Sequence, residues 1–262
     1  MEIVQQLLPT FLLILCRISA FFVVTPIFSS RNVPMQFKIG LAVMVSYIVF
    51  AAIGTQTPVP LDFQFVFAII REILVGLLLG FVAYMFFTVV QIAGSFMDLQ
   101  IGFGMSNIID PMTGVSAPLI GNYKFMLAVM LFFAFNAHHT LLQAIMDSYE
   151  WVPLMNDTFA KMYDGQISTF LVQTFAKVFE LAFQIAAPVV AVLFLTDVGL
   201  GLLTRVAPQF NIFVIGIPLK IIVGVALVVI LMPEMLTIFQ DVFVNMFRTM
   251  ENLMNVIGGN TK

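Results

Sequence analysis

Two adjacent histidines, His138 and His139, are the side chains of this sequence that could most directly bind a metal or move a proton. Imidazole titrates near neutral pH and is a common metal ligand. Neighbouring residues of a helix diverge by about 100°, however, whereas two ligands of one ion usually stand four residues apart. The same apolar run contains no carboxylate or thiol. The pattern argues against a metal site and leaves two interpretations, a proton relay or a buried, hydrogen-bonded pair near a helix end.

Sequence motifs for enzyme catalysis are missing. We find no HExxH, no Ser/His/Asp arrangement and no pair of aspartates at ligand spacing. Gly102-Phe103-Gly104 does not predict a phosphate-binding loop, because no third glycine, no following lysine motif and no preceding strand accompany it. Cys16 is the only cysteine, which excludes an intrachain disulfide and a multi-cysteine metal site. We therefore expect a protein that is not an enzyme and that uses no cofactor and no metal.

Charged side chains inside apolar stretches need compensation, and Arg17, Lys177 and Glu180 are among them. Arg17 lies near the middle of the first stretch, and a cation at that depth costs about 2.5–3.5 kcal/mol on insertion scales. It could snorkel, pair with another side chain or line a conducting path. Lys177 and Glu180 are three residues apart, so they share one helix face and can neutralise each other. We expect this second pair to be structural.

The elements that position these residues are apolar helices. Between Ile73 and Met97 there are 25 residues without a charge, which as a helix would be about 37 Å long and could cross a hydrocarbon core of about 30 Å. Across the 262 residues, 61% are hydrophobic and 10% are charged, against about 25% charged in soluble domains. The net charge of −3 and the absence of a basic run exclude nucleic acid as a partner. The chain is predicted to contact the lipid membrane.

Six apolar segments can be separated along the chain. Because only helices and closed barrels satisfy the backbone in lipid, and the segments lack the alternation of barrel strands, the predicted class is all-α. We expect one integral-membrane domain over 1–262, with several segments broken by proline or glycine. The predicted segments are about 7–29, 39–53, 65–97, 125–146, 167–196 and 212–232, and the connections include 98–124 and 197–211.

The connection from Asp98 to Lys124 combines helix-breaking and apolar residues. It contains four glycines and two prolines, yet it also carries many large apolar side chains that a solvated loop would not need. Irregular backbone at membrane depth is tolerated where protein or a water-filled cavity surrounds it. The segment is therefore predicted to be non-helical, either as a re-entrant plug or constriction or as a tightly packed surface loop.

Prolines and glycines also interrupt the stretch from Pro188 to Pro233. Broken helices near the bilayer midplane are typical of secondary transporters, although helices that kink around a curved assembly show them too. A secondary transporter of a small solute is therefore the alternative function. It would need a solute pocket in a single chain and inverted symmetry between the halves of the sequence, and we detect no such symmetry.

Four dispersed motifs make the sequence similar to the flagellar biosynthetic protein FliR family, the R subunit of the bacterial type III export gate. They are RISAFFVVTPIFSSRNVPMQFKIGLA (17–42), IGFGMSNIIDPMTG (101–114), FNAHHTLL (135–142) and GLGLLTRVAPQFNIFVIGIPLK (199–220). The resemblance covers Arg17 to Pro233 in the right order. Ala137 departs from the family pattern, which commonly has glycine before the histidine.

The resemblance implies a non-enzymatic, pore-forming subunit in the bacterial inner membrane, at the flagellar basal body. Implied partners are the P and Q subunits of the gate, the A and B export-gate subunits and unfolded flagellar protein substrates. A P-like part (1–170) would precede a Q-like helical hairpin (171–262). The implied plug residues are Gly102, Phe103, Gly104, Met105, Ile108, Ile109, Asp110, Pro111, Met112 and Gly114. Residues expected to serve polar or subunit packing are Arg17, His138, His139, Lys177, Glu180, Arg205, Pro208, Gln209 and Asn211.

Overall fold

The computed structural model describes residues 2–30, 33–53, 63–103, 118–154, 164–209 and 211–259. Within these ranges the chain forms helices and turns and no strand, which confirms the predicted all-α class. The helices are α1 (Glu2–Val24), α2 (Pro26–Ser29), α3 (Met35–Ile53), α4 (Phe63–Ile101), α5 (Leu119–Ala134), α6 (Ala137–Trp151), α7 (Gln166–Val206), α8 (Ile212–Ile230) and α9 (Met232–Gly258).

Four of these helices, α1, α3, α4 and α7, are long and apolar enough to cross a membrane. Two pairs meet the same criterion together. Each pair is bent at a short break, by 74° between α5 and α6 and by 64° between α8 and α9. With each bent pair counted as one crossing, the described helices supply up to six crossings. The prediction of a polytopic membrane protein with about six apolar segments is confirmed.

The apolar stretch predicted as one helix over 125–146 is divided in two. Helix α5 ends at Ala134 and α6 begins at Ala137, and Asn136 between them has a φ of 55° and a ψ of 21°. Asparagine tolerates this left-handed conformation better than most residues, so the chain can turn sharply here. A single turn residue leaves the apolar pattern on either side intact, which is why hydropathy did not reveal the break.

Helix α7 is longer than predicted. The sequence indicated a break at Pro188 and a connection from Asp197 onward, but the helix runs from Gln166 to Val206 with Pro188 inside it. Proline within a membrane helix is tolerated because neighbouring groups and small backbone adjustments satisfy the freed carbonyl. The prediction that the chain leaves the helix at Asp197 is therefore wrong, because α7 ends at Val206 and α8 begins at Ile212.

Helix α9 was not predicted, because it is amphipathic rather than uniformly apolar. Its charged residues, among them Glu234 and Glu251, are exposed. The opposite face buries large side chains at helical spacing, namely Met235, Phe239, Val242, Met246, Met250, Leu253 and Ile257. An apolar stripe at this spacing is the ordinary mark of a helix packed on a core. A search for continuous apolar runs does not detect it.

The chain divides into two compact units, each made of separate stretches. Unit 1 comprises Met1–Met85, Asn136–Thr174 and Val244–Lys262, and unit 2 comprises Phe86–Phe135 and Phe175–Phe243. The predicted P-like part (1–170) and Q-like hairpin (171–262) are defined by similarity to other subunits, and not by contacts within this chain. That division stays a prediction.

Two glycines let α1 and α4 approach closely within unit 1. A Cβ atom at Gly76 would overlap the backbone carbonyl of Arg17, and a Cβ at Gly80 would lie 2.9 Å from the carbonyl oxygen of Phe21. Glycines four residues apart are a common device for close contact between membrane helices. This contact brings the backbone of α4 against the turn of α1 that carries Arg17.

Candidate functional site

Two buried polar centres stand out among the described residues, one in each unit. The Arg17 centre consists of Arg17, Glu72, Ser148, Tyr149 and Val152, all in unit 1. The Asp98 centre consists of Asp98, Lys124, Met97, Ile120 and Gly121, all in unit 2. The four charged residues in them are almost fully buried, with exposures of 0% for Arg17 and Glu72, 4% for Asp98 and 2% for Lys124.

The guanidinium of Arg17 makes five hydrogen bonds, as many as its N–H groups allow. Nε and Nη2 donate to the two carboxylate oxygens of Glu72 on α4, at 2.6 and 3.1 Å. Nη1 donates to the carbonyl and to Oγ of Ser148, both at 3.1 Å, and Nη2 also donates to the carbonyl of Val152 at 2.8 Å. The guanidinium carbon lies 4.0 Å from the centre of the Tyr149 ring.

The Arg17 centre joins three helices. Arg17 is on α1 and Glu72 on α4, and the two carbonyls belong to the last turn and C-cap of α6. A cation at this end of a helix is stabilised by the orphan carbonyls and by the helix dipole. Of the interpretations left open for Arg17, the geometry is that of a structural pair, because a snorkelling side chain would not have a fully buried head.

In the Asp98 centre a carboxylate of α4 binds the start of α5. Oδ1 accepts from the backbone N–H of Ile120 at 3.0 Å, and Oδ2 accepts from that of Gly121 at 3.1 Å. The ammonium of Lys124, one turn further along α5, donates to the thioether sulfur of Met97 at 3.0 Å. Asp98 and Lys124 also lie close enough to interact electrostatically.

Of the implied plug residues, Gly102 and Phe103 lie in the described part of the chain. Gly102 directly follows α4, has a φ of 103°, and donates its N–H to the carbonyl of Asp98 at 3.1 Å. Glycine adopts this left-handed conformation without strain, which suits the end of a helix. Phe103 is half-buried. The remaining residues fall outside the described residues, namely Gly104, Met105, Ile108, Ile109, Asp110, Pro111, Met112 and Gly114.

The segment predicted to be non-helical from Asp98 to Lys124 is helical at both ends. Helix α4 continues to Ile101, and α5 begins at Leu119. The glycines and prolines of the motif lie mostly between these points, so they do not prevent helix formation at Asp98 or Lys124. The predicted boundaries are corrected accordingly.

The two histidines lie in the first turn of α6. Their ring centroids are 4.1 Å apart, and His138 is half-buried while His139 is exposed. No group of three or more metal-ligating side chains is present within the described residues. The interpretation as a buried pair does not hold for His139, which is exposed, and the proton-relay interpretation stays a prediction.

Lys177 and Glu180 are both exposed on α7, and Glu180 accepts a hydrogen bond from Gln184 at 3.2 Å. Their mutual neutralisation stays a prediction. Arg205 is in the last turn of α7, where the helix dipole stabilises a cation. Pro208, Gln209 and Asn211 follow in the connection to α8, and all are exposed, as Arg205 is. Their expected role in subunit packing stays a prediction as well.

A third polar group links α4, α7 and α8 within unit 2. Lys220 donates to Oδ2 of Asp197 at 2.9 Å, and Gln100 donates to the same oxygen at 3.0 Å. Asp197 was predicted to lie in the connection 197–211, but both charged residues lie within helices.

Sequence reasoning did not identify Asp98 and Lys124 as a centre, nor Glu72 as the partner of Arg17. A signal for Asp98 was present, because it is the first charge after the 25 uncharged residues from Ile73 to Met97. A charge that ends such a run must be hydrated or bound by protein. Which partner binds it depends on contacts between residues 22 positions apart, and spacing does not give them.

Comparison with known proteins adds the decisive observation. A family model described as bacterial export proteins, family 1, matches residues 8–246. The flagellar biosynthetic protein FliR of Bacillus subtilis (strain 168) is 41% identical over 258 residues, which cover 98% of this chain and 99% of that protein. The chain belongs to this family of bacterial export proteins.

Two further similar proteins have a flagellar and a Yop translocation name. The flagellar biosynthetic protein FliR of Escherichia coli (strain K12) is 30% identical, with 92% of this chain and 91% of that protein covered. The Yop proteins translocation protein T of Yersinia pestis is 29% identical, with 90% of each covered. The predicted membership of the FliR family is confirmed. The chain is therefore a bacterial export protein with several membrane-spanning helices.

Proposed function

We propose that this chain is a pore-forming, non-enzymatic subunit of the flagellar type III export gate. It assembles with the P and Q subunits, and with the A and B export-gate subunits nearby, in the bacterial inner membrane. Unfolded flagellar proteins cross the membrane through the assembled pore. The observation that carries this proposal is the full-length similarity to a flagellar biosynthetic protein at 41% identity.

The exposed apolar faces of the helices support assembly with other subunits. In the apolar stretch of each helix that could span a membrane, only 22% is buried within the chain for α3 and 33% for α7. The exposed side chains of α7 include Phe175, Phe179 and Phe183 at helical spacing, so they form a continuous stripe. Such faces are available to lipid and to neighbouring helices, as a subunit of a multi-chain membrane assembly requires.

The segment Gly102 to Gly114 is proposed to close the pore at rest. Apolar side chains in a constriction block water and ions by dewetting, and the segment supplies Met, Ile and Phe side chains together with glycines. Its position between two apolar helices, α4 and α5, suits a re-entrant element. We infer that the segment moves aside when a substrate arrives.

Removal of residues 104–112, or introduction of a charge among them, tests this function. We expect ion leak across the membrane to rise and regulated export to fail. The matched control is a charge at the exposed Ser168, in the first turn of α7, which should leave both unchanged. Normal export without leak in the deletion variant would show that the segment does not close the pore.

A further inference from the structure

A groove lies between the end of α1 and the start of α3, within unit 1. Its volume is about 310 Å³, which is within the size range of ligand pockets. The floor is buried, with Phe22 3% and Ala42 5% exposed. The rims are formed by Val23, Met35 and Ile39, each more than half exposed. The groove is therefore apolar along its length and open at the surface of the chain.

Lys38 places one cation in this groove. Among the described residues that line it, Lys38 is the charged one, and it is half-buried in the first turn of α3. Its ammonium donates to the carbonyl of Ser30 at 2.9 Å. An ammonium carries three N–H donors, so two of them can bind a further group. Ser29 also lines the groove and adds a hydroxyl.

The sequence around the groove carries positive charge without negative charge. From Ile3 to Leu61 there is no Asp or Glu, and the charged residues are Arg17, Arg31 and Lys38. Arg17 is already paired with Glu72 of α4, and no carboxylate of the described residues forms an ion pair with Lys38. An anion from outside the chain would therefore complement the Lys38 ammonium.

The groove lies at the shared end of two helices that are long and apolar enough to span a membrane. Helix α1 ends at Val24 and α3 begins at Met35, so Lys38 is within one turn of a helix end. Lysine near the end of a spanning helix reaches the headgroup level. Ala42 is one turn deeper, at about 6 Å along the helix axis. The matching ligand has an anionic head at Lys38 and an apolar tail toward Ala42.

We propose that this groove binds an anionic phospholipid, with its headgroup phosphate at the Lys38 ammonium and an acyl chain over Phe22 and Ala42. Basic pockets between spanning helices are known to hold anionic headgroups. A bound lipid would join the end of α1 to the start of α3. The lipid site does not depend on the pore function proposed above, because it concerns contacts within unit 1 alone.

Photo-crosslinking in vesicles tests the lipid site. The chain, purified with its membrane partners, carries a benzophenone side chain at Ile39 in the groove or, as a control, at the exposed Phe37, which faces another side of α3. The vesicles contain one part anionic phosphatidylglycerol to nine parts zwitterionic phosphatidylcholine, with the same acyl chains. Mass spectrometry identifies the attached molecule. At position 39 we expect phosphatidylglycerol to be about fivefold enriched over its share of the vesicle, and at position 37 we expect no enrichment.

Replacement of the cation separates headgroup recognition from general contact with lipid. Lys38→Gln should abolish the enrichment at position 39, while Lys38→Arg should keep it, because a guanidinium also binds phosphate. Arg248→Gln removes an exposed cation on α9 and is the matched control, which should keep the enrichment.

Three results would overturn the lipid site. The first is an equal share of phosphatidylglycerol at positions 39 and 37 of the otherwise unaltered protein, a comparison that needs no Lys38 variant to fold. The second is enrichment that persists in Lys38→Gln. The third is an adduct of position 39 with another protein chain, because a neighbouring subunit would then fill the groove. Deletion of residues 104–112 tests the pore function by ion leak, so the two proposals can fail separately.

Discussion

Opposite charges cap the two outer ends of the bent pair formed by α5 and α6. At the start of α5 the anion Asp98 accepts from two backbone amides, and at the end of α6 the cation Arg17 donates to the carbonyls of Ser148 and Val152. Both arrangements follow the helix dipole, which favours anions at N-termini and cations at C-termini. Both charges come from other helices, α4 and α1.

The two centres differ in how their charges are balanced. In the Arg17 centre every N–H of the guanidinium has an acceptor, and Glu72 supplies a paired opposite charge. In the Asp98 centre the anion is bound by backbone amides. Among the described residues, the one hydrogen-bond partner of the Lys124 ammonium is a thioether, which is a weak acceptor. The comparison indicates that the first centre fixes the fold more strongly, while Lys124 is the replaceable member of the second.

Glu72→Ala should cause the largest loss among the variants of these centres. The change leaves the buried guanidinium of Arg17 without its counter-charge, and loss of one partner of a buried pair costs about 3–5 kcal/mol. We expect little folded chain in the membrane and early thermal unfolding of what remains. The measurement is the amount and melting temperature of the purified chain with its partners. An unaltered melting temperature would show that the pair contributes little.

Gly76→Ala should destabilise the same centre by a smaller amount. The added methyl group would overlap the carbonyl of Arg17 and force α1 away from α4, at about 1–3 kcal/mol for an overpacked site. Gly40→Ala is the matched control, because nothing lies within 4 Å of a Cβ at that position in α3. The control should be neutral or slightly stabilising, since alanine favours helix formation. Equal melting temperatures for the two variants would contradict the close contact.

Lys124→Met should have the smallest effect. Methionine fills a similar apolar volume beside Met97 and removes a buried charge, while the carboxylate of Asp98 keeps its two backbone donors. We expect a change in the free energy of unfolding of about 1 kcal/mol or less. Arg17→Met, measured alongside by thermal unfolding, should cost several times more. If both variants lose the same stability, the proposed difference between the centres is wrong.

Hydropathy predicted the parts of the fold that depend on composition along the chain. The charge-free run from Ile73 to Met97 predicted the centre of α4, and the remaining apolar runs predicted the other spanning helices. Hydropathy did not predict helix α9, because its apolar residues form a stripe on one face rather than a continuous run. It did not predict the turn at Asn136 either, since one left-handed residue does not change the local hydropathy.

By itself, then, the sequence determined that this is an all-α membrane protein, and its dispersed motifs determined the export family. Both properties follow from residue types and their order. Only the tertiary structure decided which buried charges are partners, because Arg17 and Glu72 are 55 positions apart and Asp98 and Ile120 are 22 positions apart. Which residues meet depends on close helix approach at Gly76 and at Gly94, and spacing along one chain does not encode that geometry.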